Sequence, residues 1–223
     1  MIVEFAGLPG SGKTTLLRHL HGKLEEEGIP SVICSSSESL KSVSRFGKLW
    51  EMIRIFYTNR KGLESLPFME IIKMNDLSGI RLLISSLMHT LLYYERCIAE
   101  HQGKICLIDE GVVQRIFSLF VFQKKVDGER IESYLASLPS ADLVVYLDTD
   151  VSTSIGRMQK RGSVPHRMRH MTDKESESLL ERGKEVFDRL RMPNMYRLDA
   201  RQNLEKSSDI IVSLLKERWR RHG

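Results

Sequence analysis

The chain has 223 residues, 41% of them hydrophobic and 28% charged, which is enough apolar material for the core of one compact domain. Its richest apolar stretch, Ile80 to Ile98, is broken by Ser, His, Glu and Arg, which excludes a membrane span, and three scattered cysteines, Cys34, Cys97 and Cys106, exclude a disulfide framework or a paired-cysteine metal site and read as buried structural thiols. The net charge of +5 suits an anionic ligand, but its excess sits in two places, Arg157 to Arg169 and the terminal KERWRRHG.

In chain order, Ile2 to Ala6 reads as an apolar strand and leads without a signal-peptide pattern into a glycine loop, so a cytoplasmic address is expected. A helix follows from Lys13 to about Glu27 and stops at Gly28. SVICS, Ser31 to Ser35, has the β-branched character of a second strand between Pro30 and the turn SSSES. From Leu40 to Gln102 only helical patterning is found, including a long helix, Asp76 to Glu100, with Ile80, Leu83, Leu87, Leu91 and Ile98 expected on one apolar face. Strands return at Ile105 to Ile108, Leu143 to Leu147 and Met195 to Leu198, each nearly all apolar as befits strands covered on both faces. A final helix runs from about Glu205 to Trp219. The alternation predicts a parallel α/β sheet with right-handed crossovers and a ligand at the carboxyl ends of the strands. The terminal basic cluster reads as a solvated helix end, where cations offset the helix dipole; a nucleic-acid contact is the alternative.

GLPGSGKT, Gly7 to Thr14, fits the eight-residue pattern of two glycines, here Gly7 and Gly12, followed by Lys and Thr, and lies between a strand and a helix. Gly7, Gly10 and Gly12 permit the torsions that turn successive N–H groups inward, the helix N-terminus adds partial positive charge, and Lys13 reaches the terminal phosphates. Pro9, Ser11 and Thr15 complete the nucleotide-binding set, and the Thr14 hydroxyl is the expected ligand of Mg²⁺. The third strand ends in Asp109 and Glu110. Asp109 is the Walker B candidate for the same metal, although an Asp at that place also suits a helix N-terminus. Glu110 is placed either to orient an attacking water or to act as a general base.

ADLVVYLDTDVSTSIGRMQKRGSVPHR, Ala141 to Arg167, resembles the corresponding segment of thymidylate kinase and the wider P-loop nucleoside and nucleotide kinase family: a strand ending Leu147-Asp148, then a helix closing in Arg157, Arg161 and Gly162, then a lid. The tail MYRLDARQNLEKSSDII is similar to the family's last strand and base-holding turn, here Asp199, Ala200 and Arg201. The resemblance covers residues 2 to 35 and 104 to 215 well and the helical middle poorly. It implies a P-loop three-layer sandwich with a five-stranded parallel sheet in the order 2-3-1-4-5, one kinase domain over 1–223, a helical acceptor-binding insertion at about 40–102 and an Arg-rich lid at about 157–172. It also implies ATP with Mg²⁺ and phosphoryl transfer to a small-molecule acceptor. Lid candidates are Arg157, Arg161, Arg167 and Arg169; a basic helix end that keeps the protein soluble is the competing account.

One departure stands out. Where the family has an arginine after the strand-end acid, this chain has Glu110, which would repel a phosphate already on the acceptor, so the expected acceptors are a nucleoside, a nucleotide or a related hydroxyl compound, the nucleotide being the less favoured of them. Glu38 in SSSES is the second base candidate, matched by position alone and otherwise a solvated loop residue. Arg81, His89, Tyr93 and Arg96 of the long helix, with Trp50, Phe56, Tyr57 and Phe68, are offered to an acceptor pocket, the aromatic residues more often being core at such spacing. A partner-regulated ATPase or switch, a sugar kinase and a kinase of polynucleotide ends stay open, and a homodimer is compatible with the reading.

Overall fold

The computed structural model describes residues 1–34, 54, 77–121, 125–162, 165 and 168–222. Strands β1 (Ile2–Gly7), β2 (Ser31–Cys34), β3 (Ile105–Ile108), β4 (Leu143–Asp148) and β5 (Met195–Asp199) form one sheet. The order is β2-β3-β1-β4-β5 and every pairing is parallel, as the sequence led us to expect. The connecting helices are α1 (Lys13–Glu26), α2 (Leu77–Glu100), α3 (Val112–Phe120), α4 (Gly128–Ala136), α5 (Val151–Arg161), α6 (Asp173–Asp188) and α7 (Leu204–His222).

The pleat sorts each strand onto two cores. Val3 and Phe5 of β1, Leu107 of β3 and Val145 of β4 face α1 and α7, meeting Leu16, Leu17, Leu20 and Leu24 on one side and Ile211, Val212 and Leu215 on the other. Each of those buried leucines contributes about 1.5–3 kcal/mol. Ile2, Ala6, Ile108, Val144 and Tyr146 face the opposite layer with α2, α3, α4 and α6. In that layer α6 approaches α3 so closely that a Cβ on Gly183 would lie 2.1 Å from the Phe117 ring. The three cysteines are free and buried there.

Local chemistry sets the helix starts. Asp150 caps α5 by accepting from the Thr153 N–H at 2.7 Å, and Thr172 and Glu175 form a capping box on α6. α3 has no such residue of its own: Gly111 stands at its N-cap without a side chain to offer. β4 and β5 run one residue beyond their expected ends, pairing Asp148 with Asp199 in register. α7 continues to His222, and its basic end is partly used within the chain, with Lys216 2.6 Å from Glu27 and Arg218 donating to the Asp142 carbonyl. Glu38, Trp50, Phe56, Tyr57, Phe68 and Arg167 lie outside the described residues, as does most of the helical middle.

Candidate functional site

The carboxyl ends of the strands open into a cleft of about 720 Å³, within the usual range for a small-molecule site. Its floor is the loop from Gly7 to Thr14. Gly10 and Gly12 take φ of +82° and +101°, a region that only glycine enters without strain, and a Cβ on Gly10 would stand 2.5 Å from the Ser154 carbonyl of α5. The loop is therefore shaped by glycine and held against α5. Lys13 Nζ donates to the carbonyls of Gly7 and Leu8 at 3.0 and 3.1 Å and reaches Ser11 Oγ at 3.5 Å. Its enclosure lowers the ammonium to about 8, opposed by the nearby Asp109 and Glu110 carboxylates and reinforced by Arg161. A bound polyphosphate would restore the full charge.

Thr14 Oγ1 donates to Asp109 Oδ2 at 2.5 Å, so the two metal candidates converge from opposite sides of the loop. A hydroxyl and a carboxylate are hard oxygen donors and suit Mg²⁺. Arg157 donates to the Ser11 carbonyl at 2.8 Å and to the Ala200 carbonyl at 2.9 Å, tying the phosphate loop to the turn after β5. On the α1–α7 side the cleft is lined by Leu16, Leu198, Ala200, Gln202 and Leu204; on the α3–α6 side by Phe117, Val121, Met168, Met171 and Leu179. The carboxylates of Asp109 and Glu110 stand between the two sides.

No family model matches the chain. A thymidylate kinase of Xanthomonas campestris pv. campestris is 23% identical over 227 residues, covering 99% of this chain and 86% of that protein. Among solved structures, a deoxyadenosine kinase from M. mycoides, with products dCMP and a flexible dCDP bound, superposes with a TM-score of 0.60 at 17% identity, covering 97% of this chain and all of that one. The YorR protein of Bacillus subtilis, in complex with phosphorylated GDP, gives 0.50 at 17% identity over 99% and 98% of the two chains. The chain is thus similar to P-loop nucleoside and nucleotide kinases and shares their fold.

The fold brings most of the sequence-derived residues to one place. Pro9, Gly10, Ser11, Gly12, Lys13, Thr14 and Thr15 line the cleft with Asp109, Glu110, Arg157, Arg161 and Ala200. Asp199 and Arg201 do not line it: they pair with each other, Arg201 Nη2 lying 2.8 Å from Asp199 Oδ2, and this holds the Asp199 carboxyl down to about 2. Arg169 is exposed and off the cleft. His89, Tyr93 and Arg96 are also absent from its walls, and Tyr93 is buried in the core.

Sequence reasoning missed three residues. Arg115 donates to Glu110 Oε2 at 3.0 Å and to Thr90 Oγ1 at 2.9 Å, which orients Glu110 across the cleft wall. Gln114 Oε1 accepts from the Gly7 N–H at 2.9 Å. Glu4, fully buried, accepts from the Gln114 N–H at 2.8 Å and from the neighbouring N–H groups of Val112 and Val113, with the Tyr94 hydroxyl at 3.4 Å. An acid inside the otherwise apolar IVEFAG was the available signal for Glu4.

Burial pushes the Glu4 carboxyl up from 4.5 to about 7 against the opposing pull of those hydrogen bonds. The titratable groups facing it are Tyr94 from α2 and Tyr134 from α4, both raised by burial and by Glu4, with Arg115 acting on Tyr134 from α3. Because the folded carboxyl holds its proton more tightly than the unfolded one, its contribution to stability is fully present below about pH 4.5 and is lost as pH rises to about 7. The size is on the order of 3 kcal/mol across that window. Urea unfolding of the wild type should fall in stability between pH 5 and 7.5 more steeply than that of Glu4→Gln; parallel curves would contradict this assignment.

Proposed function

We propose that this kinase transfers the γ-phosphoryl group of ATP, with Mg²⁺, to a hydroxyl of a small neutral acceptor of the nucleoside class. The observation that carries this reading is the Glu110–Arg115 pair at 3.0 Å on the cleft wall. Glu110 occupies the place where the family carries a phosphate-attracting arginine, and Arg115, the guanidinium beside it, is already neutralised by that carboxylate and held by Thr90. An acceptor that already bears a phosphate would meet a carboxylate there, at a cost, whereas a hydroxyl finds a base. The deoxyadenosine kinase with dCMP and dCDP bound supports a nucleoside acceptor, whereas the thymidylate kinase, by its name, takes one that already bears a phosphate.

In this reading the loop N–H groups and Lys13 hold the β- and γ-phosphates, and Arg157 and Arg161 balance charge on the transferring group. Ala200 with Leu16 and Leu204 takes the donor base. Phe117, Val121 and Met168 form an apolar wall for the acceptor and keep water from the reacting phosphate. Glu110, steadied by Arg115, accepts the proton of the attacking hydroxyl. Thr14 and Asp109 would hold Mg²⁺, directly or through water; the ion supplies charge neutralisation at the phosphates. The unit is one kinase domain, with an acceptor-binding insertion at about 40–102 and a lid at about 157–172, acting in the cytoplasm.

The test is an acceptor screen with purified protein, ATP and Mg²⁺, reading ADP and the phosphorylated product for nucleosides, nucleoside monophosphates, sugars and 5′-hydroxyl oligonucleotides. Nucleosides should give the highest kcat/KM. A monophosphate, sugar or oligonucleotide preferred over every nucleoside overturns the acceptor assignment; ATP hydrolysis that no acceptor stimulates overturns the kinase chemistry in favour of an ATPase.

A further inference from the structure

We propose that Glu4 is a positioning residue for phosphoryl transfer: its buried carboxylate, delivered from β1, serves as the N-cap of α3 and so fixes the Asp109–Glu110 turn relative to the phosphate loop.

A helix start needs acceptors for its first N–H groups, and α3 has only Gly111 at its N-cap. Glu4 fills that role across the sheet, with Oε1 2.8 Å from the Gln114 nitrogen. The fit requires glycine at the cap, since a Cβ on Gly111 would stand 2.3 Å from Glu4 Cδ. A negative charge at a helix N-terminus is also favoured by the helix dipole. The link is answered in the other direction. Gln114, the residue whose N–H meets Glu4, turns its side-chain oxygen to the Gly7 N–H at 2.9 Å. Glu4 and Gly7 are three residues apart on β1, so the first turn of α3 is clamped to the strand that enters the phosphate loop at two points. Asp109 and Glu110 are the residues immediately before Gly111, and Asp109 meets Thr14 on the far side of the loop. Loss of the Glu4 clamp leaves the sheet intact but frees the turn carrying both carboxylates.

This inference rests on the roles proposed above for Asp109 and Glu110, and the two fail differently. Failure of the proposed chemistry appears in the wild type, which would then phosphorylate no nucleoside; failure of the clamp appears only in variants. Glu4→Gln keeps the shape and one acceptor but removes the charge, and Gly111→Ala displaces the Glu4 carboxylate from the outside. A misplacement of catalytic groups by about 1 Å can cost about 10²-fold. We expect each variant, compared per folded molecule, to lose about 10- to 100-fold in kcat with KM for ATP changed less than about twofold. ATP affinity measured by calorimetry should lose its dependence on Mg²⁺ in both variants while affinity without Mg²⁺ is kept. Glu4→Asp, which keeps the charge on a shorter arm, should recover part of kcat. Variants that unfold at lower temperature but keep wild-type kcat and Mg²⁺ dependence would reduce Glu4 to a structural cap and overturn the proposal. Should Glu4→Gln fail to fold, Gly111→Ala alone decides on the same two readouts.

Discussion

Lys13→Ala is expected to cut phosphoryl transfer by about 10³-fold or more while the protein remains folded. In the structure the ammonium lies among the Gly7 and Leu8 carbonyls and Ser11 Oγ, so it is oriented toward the loop interior before any phosphate arrives. The apolar contacts that hold α1 to the sheet come from Leu16, Leu17, Leu20 and Leu24 and do not involve Lys13. The fold is therefore spared, but the charge that develops on the transferring group loses its nearest cation. The measurement is product formation with a nucleoside, set beside the thermal transition and circular dichroism of the variant. Full transfer by a folded Lys13→Ala protein would exclude the loop as the phosphate site. Lys13→Arg should fail nearly as badly, because a planar guanidinium does not fit the space that a compact ammonium fills between two carbonyls.

Arg157→Ala is the second large effect, with an expected loss of about 10²-fold in kcat/KM. As a lid residue, Arg157 would act mainly on turnover. Its contacts give it a wider part: one nitrogen donates to Ser11 O in the phosphate loop and the other to Ala200 O in the turn after β5. The same side chain thus sets the distance between the phosphate and base ends of the donor site. Removing it should raise KM for ATP as well as lower kcat, whereas Arg161→Ala, which lacks the bond to Ala200, should act on kcat with little change in KM. Nucleotide titrations and steady-state rates of the two variants separate these outcomes. A normal KM for Arg157→Ala would mean that the bridge has no part in holding ATP.

The sheet was legible in the sequence because each strand is a short apolar run ended by a turn residue, and because the Gly7–Thr14 pattern fixes a strand before it and a helix after it. The phosphate-loop side of the cleft was legible because each of its pieces is a short local motif: the loop, the Asp109 strand end and the Ala200 turn. The other side was hidden because its contacts join distant segments. Arg115 gains meaning only from Thr90 and Glu110, and Gln114 only from Gly7. Periodicity announces that such residues lie on a helix and says nothing about which partner they meet. Arg201, a basic residue in the expected base-holding turn, pairs with Asp199, a contact that periodicity does not announce. Glu38, the base candidate matched by position, lies outside the described residues.

The outer strands of the sheet also bear on how copies of this chain can associate. β2 is four residues long, and β5 carries Arg197 at its centre, ion-paired to Asp188 at 3.1 Å and stacked 5.0 Å over the Tyr146 ring. A short strand and a charged, anchored side chain are features that discourage a neighbouring molecule from adding a strand of its own. Both features weigh against edge-to-edge growth of the sheet at the described strands.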